Sequence, residues 1–185
     1  MRLLFTNHQL THYTGTELFV RELTTALKKR DHQVAVFSTR LGKVAEEIRA
    51  AGIPVVDDPA DIPFTPDLIH GQHHFETLAA LLAFPLCPAL FHCHSSGRWQ
   101  ETPLIHPRII RYAVITPRYM PWFKEEFNIP ADKIDVVFNT VDLTRFQTVR
   151  TPSTTPEKAL LFTSTISDGT VLDTLKAACK QCDLP

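Results

Sequence analysis

Arg2-Leu-Leu-Phe-Thr6, the loop from Asn7 to Thr14, Glu17-Leu-Phe-Val-Arg-Glu-Leu-Thr-Thr-Ala-Leu-Lys-Lys-Arg30 and Ala35-Val-Phe-Ser38 form the stretch that decides the fold. They read in order as strand, loop, helix and strand, a βαβ unit whose helix N-terminus suits an anionic group. Thr14 and Glu17 stand at capping-box spacing, which predicts that each side chain closes a free backbone N–H at the helix start. Phe19, Leu23, Ala26 and Leu27 share one helical face, predicting the buried stripe. Lys28, Lys29 and Arg30 end the segment, where the helix dipole favours cations.

The 185 residues suffice for one well-cored domain and fall short of two of ordinary size. Hydrophobic residues at 44% and charged residues at 21% describe an ordinary globular composition, and a formal net charge of -1 gives nucleic acid no electrostatic footing. No apolar run is long enough to cross a bilayer, and strand residues follow Met1 directly, unlike a signal peptide. A cytoplasmic protein is therefore expected, with peripheral contact at the inner membrane face left open. Free thiols are expected for Cys87, Cys93, Cys179 and Cys182. Cys179 and Cys182 form a C-x-x-C, but it lies at the end of a predicted helix, where no dipole stabilises a thiolate.

Further along, Gly42 to Ala51 reads as a helix with Val44, Ala45 and Ile48 inward and Gly52 closing it. Ile53–Val56, Asp67–His70, Ala89–His94, Tyr112–Thr116 and Lys133–Phe138 read as strands, and 75–84 and 117–127 as helices. Strands alternating with helices predict an α/β fold, a Rossmann-like open parallel sheet with helices on both faces. Thr148 to Pro156 lacks periodicity and reads as linker. Ala159-Leu-Leu-Phe-Thr163 and Thr170 to Cys182 read as a new strand and helix. The expected organisation is a Rossmann-like domain over 1–147, a linker over 148–158, and the opening of an incomplete second domain over 159–185.

In open parallel sheets ligands sit beyond the carboxyl ends of the strands. Those ends carry Asn7, His8, His12, Thr14 and Gly15, then His70, Gln72, His73 and His74, then His92, His94, Ser95, Ser96 and Arg98. The later ends carry Thr116, Arg118, Asn139, Thr140 and Asp142. The histidine spacings also admit a metal-dependent hydrolase, although neither cluster has an acidic ligand nearby in sequence. G-x-S-x-G, G-x-G-x-x-G and the P-loop pattern are absent.

Five segments in order resemble the N-terminal half of a family 4 glycosyltransferase of the two-Rossmann-domain (GT-B) architecture. Thr14-Gly-Thr-Glu17 stands where members usually read Gly-Gly-x-Glu, and Lys29-Arg-Asp-His-Gln-Val34 where they read roughly Arg-Gly-His-x-Val. Asp67-Leu-Ile-His-Gly-Gln-His73 and Phe91-His-Cys-His94 resemble the strands that end in histidines. Asp132-Lys-Ile-Asp-Val-Val-Phe-Asn-Thr-Val-Asp-Leu-Thr-Arg-Phe146 resembles the segment before the domain crossover.

The resemblance implies retaining transfer of a sugar from a nucleotide sugar to a glycosyl acceptor, with no metal or other cofactor. It implies that Gly15 approaches the donor pyrophosphate or the acceptor, with Thr14 beside it adding a side chain where relatives have none. It makes His94 the catalytic residue facing the reacting sugar, with His73 and Arg98 on the substrate side and Asn139 at the crossover. Trp99, Arg98, Arg108 and Arg111 fall where relatives often contact acceptor or membrane. The basic pair and the two spaced glutamates that grip the donor diphosphate belong to the family's C-terminal domain. The chain carries neither, so it is expected to be inactive alone and to need that domain as partner. The alternatives are a non-catalytic binding module on the same fold and the metal hydrolase.

Overall fold

The computed structural model describes residues 1–146 and 170–182. They divide into two compact units, Met1–Val141 and Asp142–Pro185. In the first, seven strands form one parallel sheet: β1 (Arg2–Asn7), β2 (Gln33–Ser38), β3 (Val55–Val56), β4 (Leu68–Gly71), β5 (Ala89–Cys93), β6 (Ile109–Val114) and β7 (Ile134–Val136). Their order is β3-β2-β1-β4-β5-β6-β7, with every neighbouring pair parallel. The direction of winding reverses between β1 and β4, which makes that edge the topological switch point.

Side-chain alternation along the central strands assigns the two faces. Leu3, Phe5, Val34 and Val36 pack with Val20 of α1 (Gly15–Lys28) and Val44 and Ile48 of α2 (Lys43–Ala50). Leu4, Ala35 and Phe37 point the other way, into a core shared with Ala80 and Leu81 of α3 (His74–Ala83) and Phe123 of α4 (Met120–Phe127). Strands covered on both faces read as continuous apolar runs, as Leu3-Leu-Phe5 and Val34-Ala-Val-Phe37 do. Asp67 secures the β1–β4 edge from outside. Its carboxylate accepts from the Arg2 backbone N–H at 2.7 Å and from Arg2 Nη2 at 2.6 Å.

Helix α1 departs from expectation in two respects. Thr14 is its N-cap residue but closes no backbone N–H; its hydroxyl bonds the Glu17 carboxylate instead. Glu17 is fully buried and also accepts from Gln9 Nε2 at 3.0 Å and Thr16 Oγ1 at 2.9 Å. The carboxylate thus lies at the positive end of the helix dipole and consolidates the loop. The fully buried positions are Glu17, Val20 and Thr24; of the expected stripe, Leu23 and Leu27 pack half-buried against the same core and Ala26 is exposed. Thr24 is tolerated there because its hydroxyl donates to the Val20 carbonyl at 2.7 Å.

The loop before α1 is braced by the start of α2. Leu10 donates to the Arg40 carbonyl at 2.7 Å, and its own carbonyl accepts from Val44 and Ala45 N–H at 3.2 and 3.3 Å. That carbonyl closes the α2 N-terminus, whose cap residue, Gly42, has no side chain with which to do it. A Cβ on Gly42 would stand 2.8 Å from Thr11 Cα, so only glycine lets the two backbones approach. Tyr13 hydroxyl bonds Glu47 of α2, which also receives Arg21 Nη1 at 2.6 Å.

Two arginines expected at an acceptor or membrane surface are committed to the fold. Arg108 Nη1 donates to the Phe84 and Cys87 carbonyls at 2.7 and 2.9 Å, and Nη2 to the Leu81 carbonyl at 2.6 Å, closing the α3 C-terminus. Arg111 forms a two-pronged pair with Asp135 at 2.7 and 2.5 Å. Replacing Arg108 by alanine leaves three carbonyls without their donor, and an expected loss of about 2 kcal/mol follows. Urea denaturation of Arg108→Ala checks this; an unchanged midpoint would mean solvent replaces the guanidinium without cost.

In the second unit, the helix expected over Thr170 to Cys182 is present as α5 (Thr170–Gln181). Cys179 and Cys182 are unpaired at its C-terminal end, away from the N-terminal dipole. The linker expected over 148–158 and the strand over 159–163 lie outside the described residues. No helix among the described residues is long and apolar enough to cross a membrane.

Candidate active site

The carboxyl ends of β1, β4 and β5 meet beside the switch point, and the polar residues converge there. Five histidines come from two of these ends, His70, His73 and His74 from β4 and His92 and His94 from β5. On the α1 face, His70 stacks on Phe5 with ring centroids 4.5 Å apart, and His92 and His94 stack on each other at 4.5 Å. His70 lies 5.4 Å from His92, joining the two stacks. Phe19 of α1 meets His92 and His94 edge-on at 4.9 and 4.7 Å. Phe19 therefore serves the histidine cluster rather than the α1–sheet core.

Burial holds these rings neutral. It lowers His70 to about 3, with the neighbouring His92 adding to the effect, and lowers His92 to about 4. His94 falls to about 2, from burial first and then from His92, His73 and His70. His70 Nδ1, His92 Nε2 and His94 Nε2 are buried with no hydrogen-bond partner among the described residues, as are Asn7 Oδ1 and the Gln72 side-chain amide. Polar atoms in such a position are left for water or a ligand.

A second set of bonds runs on the α3 side. His73 is buried, lowered to about 4 by that burial, and holds a positive φ of 68° at the N-cap of α3. Its Nδ1 accepts the His8 backbone N–H at 3.0 Å, and its Nε2 lies 3.7 Å from Glu101 Oε1. Glu101 Oε2 accepts the His94 backbone N–H at 2.8 Å. His8 Nδ1 meets Glu76 Oε1 at 3.0 Å, and Thr39 Oγ1 donates to the same oxygen at 2.8 Å. One part-buried network thus ties the ends of β1, β4 and β5.

His73 and His94 are brought together through Glu101. Thr14 and Gly15 are exposed at the start of α1, and a Cβ on Gly15 would meet nothing within 4 Å. Arg98 is exposed just before the short 3-10 turn Trp99–Glu101, and its charge helps to hold the Glu101 carboxyl down against the upward push of burial. Asn139 is exposed beyond β7 and takes no part in these hydrogen bonds.

Glu76, Glu101 and Phe19 were not among the residues expected here. Glu76 left a legible trace: it lies four residues before Ala80 on the buried face of α3, where an acid needs partners. Both histidine clusters therefore do have carboxylates close by. Even so, no three His, Cys, Asp or Glu side chains among the described residues are grouped to hold a metal ion.

The sequence profile of Glycosyltransferase Family 4 matches residues 13–145. A glycosyltransferase from Rickettsia africae ESF-5 superimposes with a TM-score of 0.59 at 14% identity, covering 100% of this chain and 50% of its own. Alr3699/HepE of Anabaena, solved in complex with UDP and glucose, superimposes with a TM-score of 0.57 at 16% identity. That match covers 80% of this chain and 47% of the Anabaena protein. The chain thus spans about half the length of these structures. No curated protein matches it.

Proposed function

The chain belongs to glycosyltransferase family 4, and we propose that it forms the acceptor-side half of an enzyme moving a sugar from a nucleotide sugar to a glycosyl acceptor with retention. The observation that carries this reading is the open start of α1, with Thr14 and Gly15 exposed, at the same end of the sheet as the unpartnered His94 Nε2. An anionic leaving group is favoured at a helix N-terminus, and a hydrogen-bonding ring suits a sugar hydroxyl or ring oxygen. The UDP and glucose bound by the Anabaena neighbour support a nucleotide sugar as the donor class.

His94 works in this reading as a neutral hydrogen-bonding group. Its ring takes up no second proton at pH 7, so it orients the reacting sugar rather than supplying a charge. Stabilising the departing diphosphate is the main electrostatic task of the reaction, and it falls to basic residues this chain lacks. The 185-residue chain alone is therefore inactive, and transfer needs a second Rossmann-like domain. No metal or organic cofactor is required in this scheme.

Gly15 supplies the test of the site's position. Gly15→Leu has open space for its side chain and improves helix propensity, so the melting temperature should hold. In the full-length enzyme it should raise the donor or acceptor KM at least about tenfold, because the new side chain fills ligand space. Unchanged kinetics would place the ligand elsewhere.

A further inference from the structure

Glu101 is a carboxylate with only 4% exposure, set in an irregular connection between β5 and β6. Such a group persists only where donors surround it. Burial raises the Glu101 carboxyl above its ordinary value, and the His94 N–H, which donates to Oε2 at 2.8 Å, works against that rise together with the Cys93 thiol, the Ser95 backbone and Arg98. The remaining neighbour is His73, and the geometry fixes what it presents. A backbone N–H is always a donor, so His73 Nδ1, 3.0 Å from His8 N, must be bare. A neutral His73 then carries its proton on Nε2, the nitrogen 3.7 Å from Glu101 Oε1.

We propose that Glu101 is the positioning residue of this cleft: a single carboxylate holds the main chain at His94 and supports the His73 tautomer that the His8 N–H selects. One oxygen accepts the His94 N–H at the end of β5, and the other stands 3.7 Å from His73 Nε2 beyond β4, an electrostatic contact longer than a hydrogen bond. The 3-10 turn Trp99–Glu101 is the lever that delivers it. On its outer side Trp99 packs edge-on against His8 and Phe75, at 5.9 and 5.4 Å. Thr102, the next residue, accepts His74 Nδ1 at 3.2 Å. The turn is thus pinned on both flanks while Glu101 points inward.

Glutamine is nearly isosteric but cannot satisfy this arrangement. If its carbonyl accepts the His94 N–H, its amide N–H faces the His73 Nε2–H. If His73 moves its proton to Nδ1, that proton faces the His8 N–H. Every arrangement sets one buried donor against another.

The catalytic consequence rests on the transferase reading above; the tautomer does not. Histidine ¹⁵N spectra of the 185-residue chain, together with the His94 amide proton, are the first readout. The wild type should show His73 protonated at Nε2 with a bare Nδ1, and a downfield His94 amide. In Glu101→Gln the His73 nitrogens should invert or mix, and the His94 amide should lose its downfield shift. Glu101→Asp should keep the tautomer, since it remains an acceptor, and lose only the His94 shift; it decides the matter if the glutamine variant does not fold. His73 protonated at Nδ1 in the wild type, or spectra unmoved by both variants, overturns the proposal.

In the full-length enzyme, Glu101→Gln should lower kcat tenfold to a hundredfold, an order-of-magnitude expectation for a misplaced reacting group, with donor KM within about twofold. An unchanged kcat in a wild type that does transfer sugar also overturns it. A wild type that transfers no sugar counts against the transferase reading and leaves the spectra to decide the role of Glu101.

Discussion

Lowering the pH from 7.5 to 4.5 should unfold the Rossmann-like unit cooperatively, with most of the loss below pH 6. Burial holds His70, His73, His92 and His94 at about 3, 4, 4 and 2, against an ordinary value of 6.5. Their folded-state affinities for protons are depressed, so the neutral rings cost nothing above 6.5. As the pH falls through 6.5, the unfolded chain binds protons that the folded chain refuses, and stability declines. The decline continues until the folded values are reached. Each histidine contributes up to about 1.4 kcal/mol per pH unit, so four remove roughly 5 kcal/mol per unit. A domain of ordinary stability, about 5–15 kcal/mol, is exhausted within a few pH units. Far-UV circular dichroism against pH measures this, and His70→Phe should reduce the proton uptake on unfolding by about one. A melting temperature flat between pH 7 and pH 5 would show that these rings are not sequestered.

In the proposed two-domain transferase, His94→Ala should lower kcat by about a hundredfold, the scale for losing one hydrogen-bonding group from a reacting centre. His94→Gln should recover part of the rate, since an amide restores a polar atom near the same place. The wild-type rate should show no limb between pH 6 and 8 from His94, whose ring is neutral throughout that range. Steady-state kinetics across that range check both statements. A bell-shaped profile that disappears in His94→Ala would instead make the ring a proton carrier.

The sheet was legible because each strand is an apolar run of the right length between turn residues. The alternation that sends Leu3 and Phe5 to one core and Leu4 to the other follows from the strand period alone. β3 shrank to Val55–Val56 at the sheet's outer edge, where Pro54 offers no N–H to the ladder. α1 has two apolar sides: Val20, Leu23 and Leu27 pack toward the sheet core while Phe19 faces the histidines, which leaves Ala26 exposed between turns.

The site was half legible. Strand ends mark where ligands sit, so His73 and His94 could be named from position. Glu101 could not, because nothing in Ser95 to Pro107 has a period and only tertiary contact buries that carboxylate. Arg108 looked like a surface cation for the same reason, since the three carbonyls it closes are 21 to 27 residues away in sequence. Long-range polar pairing leaves no local signature.

The most direct test of the central claim is a transfer assay on the full-length polypeptide and on the 185-residue chain, each offered a panel of nucleotide sugars with mixed glycosyl acceptors. Nucleotide release coupled to a retained-configuration glycoside is expected from the full-length protein, and none from the 185-residue chain. A full-length protein that transfers from no nucleotide sugar, or a 185-residue chain that transfers by itself, would contradict it.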